Sequence, residues 1–212
     1  MLTVHHLGVS QSERVVWLCE EIELPYRLIR YDRDPVTRLA PPQYKALHPF
    51  GTAPVITDGD LVMAESGAIV EYLLARHGGG RLVIPVDQPG FANYVFWFHF
   101  ANASMMPAMM VDIVASMTGA ADTAVLKSLR ARADRGFALV ETTLEQRPYL
   151  AGDPFTAAEL MMLFPLTTMR YFLQRDLGPY PKIRAYLQRV GARPAYARAM
   201  AKGDPDLTPL LT

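Results

Sequence analysis

Four short stretches carry groups able to do chemistry: Ser10, Ala53-Pro54, Glu65-Ser66 and the methionine-rich run from Ser104 to Met110. Ser66 precedes Ile69, Tyr72 and Leu73, apolar residues at helical spacing, so it reads as a helix N-cap. A helix start offers spare N–H donors and a partial positive charge, which suits a carboxylate. Glu65 beside it suits an ammonium. Pro54 heads a strand, where a residue without an N–H is tolerated if that backbone faces solvent, a ligand or a turn. A ligand lying against Ala53 is therefore expected. Ser10 can donate a hydrogen bond, but Ser10-x-x-Glu13 is also a capping box, and on spacing alone that structural role is the stronger reading. No G-x-S-x-G elbow surrounds Ser10, so a covalent nucleophile is not expected there.

Other chemistries are disfavoured by composition. Five histidines, two adjacent in a strand and three scattered, with one cysteine, make no metal-ligand pattern, and no metal is expected. Cys19 falls on the apolar stripe of a helix and reads as a small buried hydrophobe. A lone cysteine rules out an internal disulfide and a C-x-x-C dithiol centre, and fits a reducing, cytoplasmic compartment. Lys+Arg and Asp+Glu are both 21, for a net charge of zero, which argues against a nucleic-acid partner. No signal-peptide pattern and no apolar, uncharged run of spanning length is evident, so neither export nor membrane insertion is expected.

The elements that must position these residues follow in chain order. Leu2 to Leu7 reads as a strand that sends His5 and His6 to opposite faces. Val15, Val16, Leu18, Cys19 and Ile22 recur at helical spacing, and residues 26–31 read as a second strand, giving a β-α-β unit with parallel strands. A proline-containing loop leads to a short helix near residues 43–47. Asp58-Gly59 then joins two apolar runs as a hairpin, and the helix after Ser66 ends at His77-Gly78-Gly79-Gly80. Residues 81–89, with Pro85 and Pro89, read as a linker. Beyond them strand signals stop, and helices are expected over 91–116, 122–146, 156–172, 181–190 and 194–200. Thr156 and Glu159 form a capping box, with Phe155 and Leu160 at the staple positions, and that role is structural. The expected domains are 1–80, α/β with the order β-α-β-α-β-β-α, and 90–212, an all-helical bundle.

This order, with X-Pro before a hairpin and Glu-Ser opening the next helix, resembles the cytosolic glutathione S-transferases, and the resemblance covers the whole chain. It implies a thioredoxin-like N-terminal domain, an all-helical C-terminal domain, glutathione as co-substrate, and a cytoplasmic, homodimeric detoxification enzyme that adds the thiolate to small hydrophobic electrophiles. It also reverses the odds at Ser10, which matches the serine that donates a hydrogen bond to the glutathione sulfur in serine-type members; Ser12 is the alternative. Ala53, ahead of a cis Pro54, would pair with the cysteinyl backbone, and Ser66 and Glu65 would take the γ-glutamyl carboxylate and ammonium. Arg38 would hold the glycine carboxylate; Leu39 stands where many members carry a polar residue. Ser104, Met105 and Met109 are the candidates for the electrophile site. Two rival readings remain: a non-catalytic binding or interaction module on the same fold, and a glutathione-dependent peroxidase.

Overall fold

The computed structural model describes residues Met1–Thr212. The chain forms two compact units, one of residues 1–82 with 191–209 and the other of residues 83–190 with 210–212. In the first, β1 (Thr3–Leu7), α1 (Glu13–Glu21), β2 (Arg27–Tyr31), α2 (Pro42–Lys45), β3 (Val55–Asp58), β4 (Leu61–Ala64) and α3 (Ser66–Leu73) follow in the thioredoxin-like order. The sheet runs β2-β1-β3-β4, with β1 parallel to β2 and antiparallel to β3, and β3 antiparallel to β4. Asp58 pairs with Leu61, so the two-residue hairpin loop is Gly59-Asp60, and Gly59 takes the positive φ of 60° that the tight turn requires. Helix α1 exists because its apolar stripe has somewhere to go: Val15, Val16, Leu18 and Cys19 are at most 1% exposed. Helix α3 passes into a π-helical turn, Leu74–Gly78, and stops at Gly79 in the left-handed region.

The second unit is helical: α4 (Phe91–Phe100), α5 (Met106–Thr118), α6 (Ala124–Gln146), α7 (Ala157–Leu166) and α8 (Pro181–Gly191). The single helix expected over 91–116 is two helices separated by a π-helical turn, Ala101–Met105, with Pro107 in the first turn of α5. Helix α7 ends before a 3-10 turn, Thr168–Tyr171, and is the buried centre of the unit, with all ten of its residues buried. The Thr156 capping box forms as expected. The Glu159 carboxylate accepts from the Thr156 N–H (2.7 Å), the Thr156 hydroxyl (2.8 Å) and the Leu150 N–H (2.8 Å). The sequence reading of no run fit to span a membrane is corrected in one respect. Phe91–Thr118 is long and apolar enough by length and composition, although in the fold it belongs to the helical unit, where α4 packs on α7 and α5 on α6.

Helix α9 (Pro194–Gly203) departs from the expected division at residue 90, because it packs with the first unit, against α1. Trp17 meets Tyr196 edge to face at 5.1 Å. Arg193 grips the Glu21 carboxylate through two bonds of 2.7 Å, while Arg198 and Lys202 converge on Glu20. These pairs dock α9 along α1 and bring Gly203-Asp204 back to β1.

Candidate functional site

The first unit gathers most of its candidate residues around the connection from β1 to α1. Ser10 is 5% exposed; its hydroxyl donates to the Leu7 carbonyl at 2.7 Å and accepts from the Ser12 N–H at 3.2 Å. The capping box expected of Ser10 and Glu13 does not form, because Ser12 occupies the N-cap of α1 and Glu13 N–H reaches only the Ser10 carbonyl. Ser12 is fully buried and its hydroxyl lies 2.7 Å from that of Ser10. Val9, just before Ser10, is a β-branched residue at φ 52°, a costly conformation held by its neighbours. Its N–H donates to Asp204 Oδ1 at 3.0 Å, and its carbonyl accepts from Arg33 Nη2 at 3.0 Å.

On the other side of Ser10, Gln11 and Arg14 reach the start of α3. Arg14 Nη1 donates to Gln11 Oε1 (2.7 Å) and to Ser66 Oγ (3.1 Å), and the Ser66 hydroxyl lies 3.3 Å from Gln11 Oε1. Ser66 is one residue inside the helix; Glu65 holds the N-cap, at φ 76°, and its side chain is exposed while Ser66 is buried. Burial lowers the Arg14 pKa to about 9 against the raising effect of Glu13 and Glu65, so the guanidinium is charged at neutral pH. A fixed cation thus stands behind a helix N-terminus, a pairing that favours an anion. Neither Gln11 nor Arg14 was singled out by sequence reasoning, and the only available signal, an arginine on the apolar side of a helix, becomes informative once its burial is seen.

Ala53-Pro54 is a cis peptide. Pairing of β3 with β1 begins at Val55, which leaves Ala53 outside the ladder, packed on the cluster that contains Leu7. Arg33 ties the next loop in by donating to the Gly8, Val9 and Arg38 carbonyls. Arg38 itself is exposed at φ 60°, and it lines a cleft of about 280 Å³ with Gly8, Val9, Arg30, Arg33 and Asp204. Leu39 is 57% exposed.

The three electrophile-site candidates lie in the second unit and do not share one cavity. Ser104 is exposed and, with Met105, borders a groove of about 520 Å³ between the π-helical turn, α5 and α6. Met105 is only 1% exposed, and its sulfur fills the space over Gly136. Met109, 3% exposed, borders a different cavity beside Asp112, Arg130 and Arg175.

Comparison with known proteins agrees with this architecture. Residues 10–76 match the family model of the glutathione S-transferase N-terminal domain, and residues 102–194 that of the C-terminal domain. Glutathione S-transferase 3 of Schizosaccharomyces pombe is 32% identical over 95% of this chain and 88% of its own. A glutathione S-transferase from Actinobacillus pleuropneumoniae is 36% identical with a TM-score of 0.87, over 96% of this chain and 93% of its own. A glutathione transferase homologue from Sulfitobacter, solved with bound glutathione, is 25% identical with a TM-score of 0.74, over 96% of this chain and 98% of its own.

Proposed function

From the premise that the chain belongs to the glutathione S-transferase family and is an enzyme of it, we propose that it adds the glutathione thiolate to small hydrophobic electrophiles, with the Ser10 hydroxyl as hydrogen-bond donor to the sulfur. The observation that carries this reading is that two arms in one unit are tied to the residues on either side of Ser10, Gln11 and Val9. Gln11, Arg14 and Ser66 form one, Arg33 holding Val9 and Arg38 the other. The first arm suits the γ-glutamyl carboxylate, with exposed Glu65 for the ammonium, and Arg38 suits the glycine carboxylate. Ala53, outside the β-ladder, is left to pair with the cysteinyl backbone.

Magnitudes limit what Ser10 supplies. A thiol of pKa near 8.5 is about 3% ionised at pH 7, and lowering it by about two units makes it roughly three-quarters thiolate. A Brønsted slope near 0.45 removes about 8-fold of the resulting 25-fold gain, leaving roughly 3-fold. The larger share of the rate then comes from holding thiolate and electrophile together. We assign the electrophile to the helical unit, where exposed Ser104 at its groove is the polar candidate; Met105 and Met109 act through packing. A second copy of the chain is the partner we assign on the family resemblance, and sedimentation equilibrium tests that pairing. The compartment we assign is the cytoplasm, in keeping with a free, buried Cys19.

The test of Ser10 is the ultraviolet absorbance of the glutathione thiolate in the complex, titrated from about pH 5 to 9 around the free value near 8.5. The parent protein is expected to ionise the thiol about one to two units below that value, and Ser10→Ala to return it most of the way. A Ser10→Ala complex with the parent titration removes Ser10 from the role.

A further inference from the structure

We propose that Ser10 is the outer end of a buried proton relay, Ser10–Ser12–His6–Asp204, in which the His6 imidazole receives the proton that the glutathione thiol loses. This inference rests on the reading of Ser10 as the hydroxyl that meets the sulfur. His6 and Ser12 are completely buried and Asp204 is 5% exposed. The heavy-atom steps are all short: Ser10 Oγ to Ser12 Oγ 2.7 Å, Ser12 Oγ to His6 Nδ1 2.9 Å, and His6 Nε2 to Asp204 Oδ2 3.0 Å.

Proton positions follow from the donor inventory. A carboxylate only accepts, so His6 Nε2 carries the hydrogen shared with Asp204. In neutral His6 the Nδ1 atom is then an acceptor, and the hydroxyl it meets is that of Ser12. Ser12 Oγ accepts from the Leu7 N–H at 3.1 Å, and of the two acceptors within reach of its own proton, His6 Nδ1 at 2.9 Å is nearer than the Leu7 carbonyl at 3.2 Å. Ser10 gives its proton to the Leu7 carbonyl at rest, and rotation about its Cβ–Oγ bond turns it to Ser12 Oγ at 2.7 Å, the orientation the relay uses, or to a ligand sulfur. When the thiol ionises, its S–H bond breaks and the proton joins Ser10 Oγ. Ser10's proton passes to Ser12, and Ser12's passes to His6 Nδ1. Both hydroxyls are regenerated. An imidazolium now faces the Asp204 carboxylate, and the thiolate accepts a hydrogen bond from Ser10. After the thioether forms, the proton returns by the same path to the product or to water.

The surroundings suit this role. Gly203 lets the end of α9 come down on the ring, since a Cβ there would stand 3.2 Å from His6 Nε2. The other charged groups around the pair are Arg30, on β2 opposite His6, and Arg33, Arg38, Asp32 and Asp206, which line the cleft that Asp204 borders. Burial works against the Asp204 charge, but the bond from His6 and its charge, the Val9 N–H and Arg30 together hold its carboxyl below the usual range. The aspartate is therefore a fixed counter-charge, as in the Asp-His pairs that orient an imidazole and stabilise its protonated form elsewhere. Residues 6 and 12 act through Ser10 and are positioning residues, and Asp204 positions them in turn.

The experiment measures two quantities on one complex: the thiolate absorbance, and the protons exchanged with buffer on glutathione binding, from calorimetry in buffers of different ionisation enthalpy. The relay predicts thiolate in the parent with far less than one proton released per thiolate formed, because His6 keeps it. In Ser12→Ala and Asp204→Asn, which cut the chain at separate links, the thiol pKa is expected to rise by about one unit, a tenfold loss of thiolate below it, and the remaining ionisation to release its proton to the buffer. One proton released per thiolate in the parent overturns the relay while leaving Ser10 as donor. A Ser10→Ala complex that ionises like the parent overturns the Ser10 reading and the relay with it. Full proton retention in both Ser12→Ala and Asp204→Asn also overturns the relay, since the acceptor then lies elsewhere.

Discussion

Adding one methyl group at Gly136 decides whether Met105 is a packing residue or a mobile wall of a ligand groove. Gly136 lies inside α6, where alanine is favoured over glycine by about 1 kcal/mol. A Cβ there would sit 2.6 Å from the Met105 sulfur, so the buried thioether must leave its place, and the groove it borders is the space into which it can go. Overpacking of this kind costs about 1–3 kcal/mol. Taking the middle of that range against the propensity gain leaves Gly136→Ala destabilised by about 1 kcal/mol. For a chain of 212 residues this lowers Tm by about 2–4 °C. With Met105→Ala as background the clash disappears and the same substitution is expected to stabilise by about 1 kcal/mol, a reversal of sign that a double-mutant cycle reads directly. The assay is thermal unfolding of the four proteins followed by far-ultraviolet circular dichroism. A Gly136→Ala protein that melts above the parent refutes the reasoning, and would mean that Met105 leaves its place at little cost and is available to line the groove beside Ser104.

Three further outcomes follow from buried groups. Glu159→Ala leaves the Leu150 and Thr156 N–H groups and the Thr156 hydroxyl without their acceptor and is expected to cost about 3 kcal/mol or more in urea unfolding; a loss under about 1 kcal/mol would show that water replaces the carboxylate. Burial, then the Glu20 charge, push the Cys19 thiol up to about 12, so the native protein should resist iodoacetamide at mildly alkaline pH and take up one equivalent once unfolded; rapid alkylation of the native protein contradicts this. The Asp204 carboxyl has a folded pKa below its unfolded value near 3.9, so the stabilisation it supplies is complete above about pH 4 and is lost as pH falls through the folded pKa. The gap in urea midpoint between the parent and Asp204→Asn should therefore shrink in acid, and a gap that stays constant from neutral pH to pH 3 contradicts the linkage.

Much of the scaffold was legible because it is written in short windows. Asp58-Gly59 between apolar runs marks the hairpin, the stripe Val15 to Ile22 marks α1, and Thr156 with Glu159 marks the start of α7; in each case the deciding interaction lies within about one turn of the residues that signal it. Small displacements came from competition inside the same windows. Spacing makes Ser66 an N-cap, yet Glu65 takes that position and Ser66 turns its hydroxyl to Arg14 and Gln11. Spacing alone makes Ser10 half of a capping box, yet its hydroxyl finds the Leu7 carbonyl at 2.7 Å, and the N-cap position of α1 falls to Ser12, whose side chain makes no capping bond.

The sequence by itself determined the order of elements, the turn that pairs β3 with β4, the X-Pro bond ahead of that hairpin, and the change from α/β to all-helical structure near residue 90, since each depends on periodicity or turn chemistry that neighbouring residues carry. Only the tertiary structure decided that α9 returns to the first unit, that Met105 and Met109 are buried, and that a guanidinium stands under Ser66. It also decided what surrounds Ser10. His6 and Asp204 are 198 residues apart in the chain, and no local spacing encodes their meeting. They meet because α9 is held along α1 by Arg193, Arg198 and Lys202, and because Gly203 has no side chain to keep the helix end off the imidazole.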